Sequence, residues 1–346
     1  MSRITNLQAV LATDESFLVT NLINVRYLSG FTGSNAALVV SPESAILITD
    51  SRYEIQSRAE THDVDIVMGR DVIAKAMELL SGMQFGCEGD HVTVNQEARL
   101  KAAGNPRATK KVVETFRQVK DKGEIDLIRT ACQIATCALG QLVDGKVVGL
   151  TEREIARNLR SLMLDAGADD IAFETIVASG PHSAIPHHQP TSREVAKGDL
   201  LKIDFGAQVS GYLSDCTRTF VVGPPSDWHN EMYAAVHSAQ AAGRNAVSSV
   251  STCADIVSAV RTNLQTTGYL EYFTHGLGHG VGLEIHEDPF LSSEQTDRLA
   301  VGTVVTVEPG VYFEHRGGVR IEDTVAVTET GYENLTNFSH DLIDIS

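Results

Sequence analysis

Apolar positions along the chain change rhythm near residue 118. Over residues 1–115 they come in short runs at 17–20, 36–40, 45–48, 64–68 and 111–113, bounded by turn residues, which reads as strands. Stretches with helical spacing at 53–60, 71–80 and 95–103 lie between some of them, so the first third reads as an α/β domain. A charged segment, Arg117-Gln-Val-Lys-Asp-Lys-Gly-Glu-Ile-Asp126, then leads into Leu127–Val143, apolar at helical spacing, where a second domain opens. Thr151 and Glu154 form a capping box for a helix running to about Ala166, and two more helices are expected near 227–247 and 254–266.

The helices of the second domain are interleaved with two pairs of strands. The stretch Ile203–Phe220 has apolar flanks around a Gly-containing centre, which predicts a hairpin turning at Gln208–Gly211, with Asp204 facing Asp215. Val304–Glu308 and Val319–Val327 predict a second pair joined through Tyr312–Gly318, in which Glu308 can face Glu322. Directly opposed side chains in such a pair lie about 4.5–5.5 Å apart, so like charges repel unless a cation sits between them. Between the pairs runs His275-Gly-Leu-Gly-His-Gly-Val-Gly-Leu-Glu-Ile-His286. Its glycines permit close backbone approach, and its histidines can ligate metal as neutral imidazoles. Four carboxylates and one histidine suit two divalent cations, and oxygen-rich ligation favours manganese or cobalt over a thiolate zinc site.

Other chemistries lack their residues. Gly276, Gly278, Gly280 and Gly282 do not fit a dinucleotide loop, and H-E-x-x-H, P-loop and G-x-S-x-G motifs are absent. A net charge of −17 in 346 residues argues against nucleic-acid or anionic-membrane partners, which need a basic face. The first twenty residues carry Arg3, Asp14 and Glu15 without an unbroken apolar core, so a secretory leader is not expected and a cytoplasmic location is. Five cysteines, an odd number with no C-x-x-C pair, read as reduced and structural. Arg320 lies two residues before Glu322 and so shares its strand face.

The order Asp204, Asp215, His279, Glu308, Glu322 resembles that of the pita-bread metallopeptidases, and the surrounding text looks most like their Xaa-Pro peptidases, aminopeptidase P and prolidase. The resemblance implies a creatinase-like N-terminal domain over 1–118 and an α+β pita-bread catalytic domain over 119–346. It also implies that Asp204 holds one metal, that Asp215 and Glu322 bridge the pair, and that His279 with Glu308 holds the other. His187 and His286 would assist catalysis alongside Glu308 as general base, with His275, Tyr312 and Arg320 in supporting positions. Of the adjacent pair, position favours His187 over His188. The implied protein is a homodimer acting on proline-containing peptides. The Phe31-Thr-Gly-Ser-Asn35 text looks like the short aminopeptidase forms, which makes an Xaa-Pro aminopeptidase the expected activity and prolidase the alternative; methionine aminopeptidase or an inactive binding protein on the same fold fits less well.

Overall fold

The computed structural model describes residues 2–346, which divide after Arg117 into two compact units. The first is built on a six-stranded sheet with the order 65–68, 45–49, 36–40, 16–19, 84–88, 105–109. Its three central antiparallel strands, Ser16–Val19, Ala36–Val40 and Ala45–Thr49, are flanked on either side by parallel pairings. Ser16–Val19 and Ala36–Val40 are buried along their whole length, which explains why they read as unbroken apolar runs. Ile73, Ala76, Leu80 and Leu100, from the segments after the outer strands, pack on Leu18, Ala37, Ile48 and Phe85.

The strand expected at 111–113 is not formed. Val112–Arg117 is a helix, and the sixth strand is Asn105–Thr109 instead. That strand lies at the sheet edge, is largely exposed and contains Pro106, so it carries no alternating apolar signal. The helix Leu22–Ser29 also escapes the apolar pattern. It is announced only by its ends: the Asn21 side chain caps Ile23 N–H, and Gly30 closes it at φ 84°.

The second unit repeats one theme twice. The helices Lys122–Val143 and Glu152–Asp165 cover a sheet ordered 216–221, 200–205, 176–179. Leu139, Ile155, Leu159 and Met163 meet Leu201, Ile203, Phe205 and Phe220 there. The helices Asp227–Ala246 and Cys253–Thr267 cover the second set of strands, burying Met232, Val236, Ile256 and Val260 against Val305, Val307, Val311 and Val325. Truncating one of these large side chains to Ala would cost about 2–5 kcal/mol. The capping box of Thr151 and Glu154 is present in both directions.

Strand alternation then decides where the site lies. Leu201, Ile203 and Phe205 point to their helices, so Lys202 and Asp204 point the other way. In the second half Val319 and Ile321 join the helix-covered core, leaving Arg320 and Glu322 on the opposite face. These polar residues are nevertheless buried. Each half thus turns an enclosed polar face away from its own helices.

Candidate metal centre

The first hairpin turns one residue later than its sequence suggests. Val209 pairs with Tyr212, and Ser210 and Gly211 both have positive φ, 46° and 79°. That two-residue turn is the form that matches strand twist. Asp204 is therefore opposite Thr217, not Asp215. Because the displacement is two positions, the two aspartates still share a face. In the second pair Val307 is opposite Asp323 and Gly310 is opposite Arg320 in one continuous register. The interrupted positions between those two ladders bring Glu308 and Glu322 to the same level.

The segment carrying His279 is stitched to this strand by backbone hydrogen bonds, Thr306 N–H to His279 O at 2.8 Å and Glu308 N–H to Leu277 O at 2.9 Å. The glycines around it have unequal roles. A Cβ at Gly278 would stand 2.1 Å from Thr306 O, and one at Gly280 would stand 2.4 Å from Asp288 O, whereas one at Gly276 would meet nothing within 4 Å.

Asp204, Asp215, His279, Glu308 and Glu322 all line one cavity of about 210 Å³, together with His187, His286, Phe173, Ile176 and Ile285. Ligating atoms of Asp215, His279 and Glu322 lie within 4.8 Å of one another. His279 Nε2 is 3.5 Å from Glu308 Oε1 and 3.7 Å from Asp215 Oδ2. Its Nδ1 faces the Gly280 carbonyl at 3.1 Å, which fixes the proton there and turns the Nε2 lone pair toward the carboxylates. Burial, aided by His286, lowers its pKa to about 4, so the ring is neutral near pH 7.

Four carboxylates in so small a space need positive charge. Burial, then Glu322, Asp204 and Glu308, pushes the Asp215 carboxyl well above the usual range. Burial, then Glu308 and Asp204, does the same to Glu322. Burial also pushes Glu308 up to about 8, with Arg320 opposing and Asp204 reinforcing. Arg320 bonds Asp204, but Asp204 Oδ1 is buried with no hydrogen-bond partner. An orphaned oxygen, mutually repelling carboxylates and an imidazole nitrogen aimed among them are a donor set that fits divalent cations.

The supporting residues form a chain behind Asp204. Arg320 donates to the Thr217 hydroxyl at 3.0 Å and to Tyr312 Oη at 2.9 Å. Tyr312 Oη lies 3.0 Å from His275 Nε2, and His275 Nδ1 faces the Gly276 carbonyl at 2.7 Å, so the tyrosine donates to the histidine. His275 therefore stands outside the cavity wall, linked to Asp204 through Tyr312 and Arg320. Thr217 Oγ1 donates to Glu322 Oε2 at 2.7 Å. His187 and His286 are exposed at the cavity rim, whereas His188 is buried and turned to Glu152. Sequence reading misses Phe173 and Ile285, which belong to loops without periodicity, and Ile176, the first residue of the strand 176–179. It also misses Lys202, although its place two residues before Asp204 puts it on the same strand face.

Residues 3–119 match the creatinase/prolidase N-terminal domain, and residues 126–329 match metallopeptidase family M24. The chain is 37% identical to the Xaa-Pro dipeptidase of Pyrococcus furiosus, over 93% of each chain. The solved structure of an Xaa-Pro dipeptidase from Bacillus anthracis superposes with a TM-score of 0.95 at 35% identity, covering 99% of both chains. The X-Pro aminopeptidase structure from Thermotoga maritima gives a TM-score of 0.90 at 35% identity, over 97% of this chain and 99% of that one. The α/β domain followed by a pita-bread catalytic domain is the architecture these proteins share with it, and the chain belongs to metallopeptidase family M24.

Proposed function

We propose that the protein is a dinuclear metal-dependent exopeptidase that hydrolyses the Xaa-Pro bond at the N-terminus of peptides, an Xaa-Pro aminopeptidase. The observation that carries this reading is the buried cluster of four carboxylates with the His279 Nε2 lone pair turned into it. Asp204 would hold one ion, Asp215 and Glu322 would bridge, and His279 with Glu308 would hold the second. Bound there, two divalent ions supply the Lewis acidity that lowers the pKa of a water and polarises a peptide carbonyl. Oxygen-rich ligation favours manganese or cobalt.

The remaining chemistry belongs to the side chains. Glu308, at 18% the most exposed of the paired site carboxylates, takes the proton of the attacking water. His187 and His286, at the rim, donate to the oxyanion or pass a proton to the leaving nitrogen. That nitrogen is a tertiary amide without N–H, so packing must replace the missing hydrogen bond. Phe173, Ile176 and Ile285 offer an apolar wall for the proline ring.

Two observations bear on substrate length. Among the described residues lining the cavity none is Lys or Arg, so a dipeptide's proline carboxylate would meet only histidines; this supports the aminopeptidase reading. The dipeptidase reading is favoured by the names of the P. furiosus and B. anthracis relatives. Assaying Xaa-Pro, Xaa-Pro-Ala-Ala, its N-acetylated form and Met-Ala-Ser side by side separates them. Cleavage of the free tetrapeptide at Xaa-Pro is expected. Cleavage of the dipeptide alone converts the reading to prolidase, preference for Met-Ala-Ser to methionine aminopeptidase, and no cleavage to a binding protein. The five free cysteines fit a reducing, cytoplasmic compartment, and no helix among the described residues is long and apolar enough to cross a membrane. A homodimer is expected on family resemblance, and sedimentation tests it.

A further inference from the structure

A second cluster of metal-type side chains lies in the catalytic unit, where ligating atoms of Glu152, His182 and His188 come within 4.8 Å of one another. Its hydrogen bonds show what it is for. Glu152 is fully buried. Its Oε1 accepts from Ser179 N and Ser179 Oγ, both at 2.8 Å, and lies 2.9 Å from His182 Nδ1. Its Oε2 accepts from Thr191 N at 2.9 Å and Thr191 Oγ1 at 2.7 Å, and lies 2.8 Å from His188 Nε2. A carboxylate offers about four lone-pair sites, so six donors leave no oxygen free for a cation.

Every one of those donors belongs to one segment, 179–191, and that segment carries His187 to the cavity. Glu152 grips both of its ends. The middle is held by a second side chain: Lys202 Nζ donates to the carbonyls of Ser183, Ile185 and Pro186 at 3.2, 2.7 and 3.3 Å. Arg320 adds a bond to Pro186 O at 3.2 Å. His187 itself is exposed and makes none of these contacts, so its place over the cavity depends on how the loop is held.

We propose that Glu152 is a positioning residue for peptide-bond hydrolysis, acting through His187 by fixing both ends of the loop that presents it. This rests on the reading above in which His187 acts on the bound peptide. Glu152→Gln keeps the side-chain volume but puts an NH2 group against donors. It is compared with wild type, His187→Ala and the double variant, each loaded with manganese, with Xaa-Pro-Ala-Ala as substrate. Metal per chain, kcat and KM are measured separately. The expected result is unchanged metal content, a kcat lowered on the order of 10-fold to 100-fold, and KM within about 3-fold. In the His187→Ala background the same change should cost less than about 2-fold, because the group it positions is gone. Equal losses in both backgrounds, or loss of metal, overturn the proposal. Should Glu152→Gln fail to fold, His188→Ala, which removes one donor, is put through the same cycle and judged by the same two outcomes. A wild-type enzyme that cleaves no Xaa-Pro peptide overturns the functional reading, and this inference with it, before any variant is compared.

Discussion

Gly278→Ala isolates how closely the His279 segment must approach its neighbouring strand. The new methyl carbon would lie 2.1 Å from Thr306 O and 2.8 Å from the Thr306 carbonyl carbon. Backbone is the obstacle, so no side chain can swing aside. Reaching even 3.0 Å requires the strands to part by about 0.9 Å. The flanking hydrogen bonds, now 2.8 and 2.9 Å, would then stretch beyond useful range. Two lost backbone bonds at about 1 kcal/mol each, with overpacking at about 1–3 kcal/mol, give about 3–5 kcal/mol. For a unit of this size that is a fall in Tm of roughly 10 °C. The same displacement carries His279 away from Glu308 and Asp215, so kcat/KM should drop on the order of 100-fold and metal retention should weaken. Gly276→Ala is the control, since its methyl meets nothing within 4 Å and should leave melting and turnover unchanged. Thermal melts, metal content and kinetics of the two variants decide the matter. A wild-type-like Gly278→Ala protein, or a Gly276→Ala protein equally damaged, refutes the steric argument.

Exhaustive chelation should abolish peptidase activity, and manganese or cobalt should restore it; full activity with no metal detectable by elemental analysis contradicts the assignment. Glu308→Gln should lose metal and nearly all turnover, whereas His187→Ala should keep both ions and lose on the order of 100-fold in kcat, which paired metal analysis and kinetics will distinguish. Burial opposes the Glu152 charge, but hydrogen bonds led by those from His188, Ser179 and Thr191 outweigh it and hold the carboxyl down at about 2. A lowered folded pKa stabilises above the unfolded value, near 4.5, and the benefit fades as pH falls from there toward 2. Urea titrations should therefore show wild type ahead of Glu152→Gln by on the order of 3 kcal/mol near pH 7, with the gap narrowing below about pH 4.5; a gap that stays constant down to pH 3 would count against the hydrogen-bonded carboxylate as its source.

What could be read from sequence was whatever repeats or whatever repels. Short unbroken apolar runs placed the central strands, and the capping box placed the helix after Thr151. Acidic residues expected to face each other across paired strands marked Asp204 with Asp215 and Glu308 with Glu322, because like charges so close repel unless a cation lies between them. The reading failed where structure depends on distant partners. Glu152 looks like an ordinary first-turn acid of a helix; the donors that make it a hub lie 27 to 39 residues further on. Lys202 reads as the polar half of an alternating strand, and only the folded loop shows that its ammonium caps three carbonyls. The hairpin register slipped because the Ser210-Gly211 turn was centred one residue early, an error that preserved the faces but not the partners.

The inward polar faces of the two halves have a consequence for how the catalytic unit acquires activity. Two aspartates come from one helix-covered layer, and a histidine and two glutamates come from the other, about a hundred residues along the chain. Neither layer by itself concentrates enough negative charge to hold a cation tightly, and neither would tolerate its half of the cluster in a closed interior. Closing so long a loop costs entropy that local contacts cannot repay early in folding. The centre should therefore be among the last parts of the molecule to form. Divalent ions bound there would act as a latch between the layers, and a chain whose second layer is not yet made would have no assembled centre.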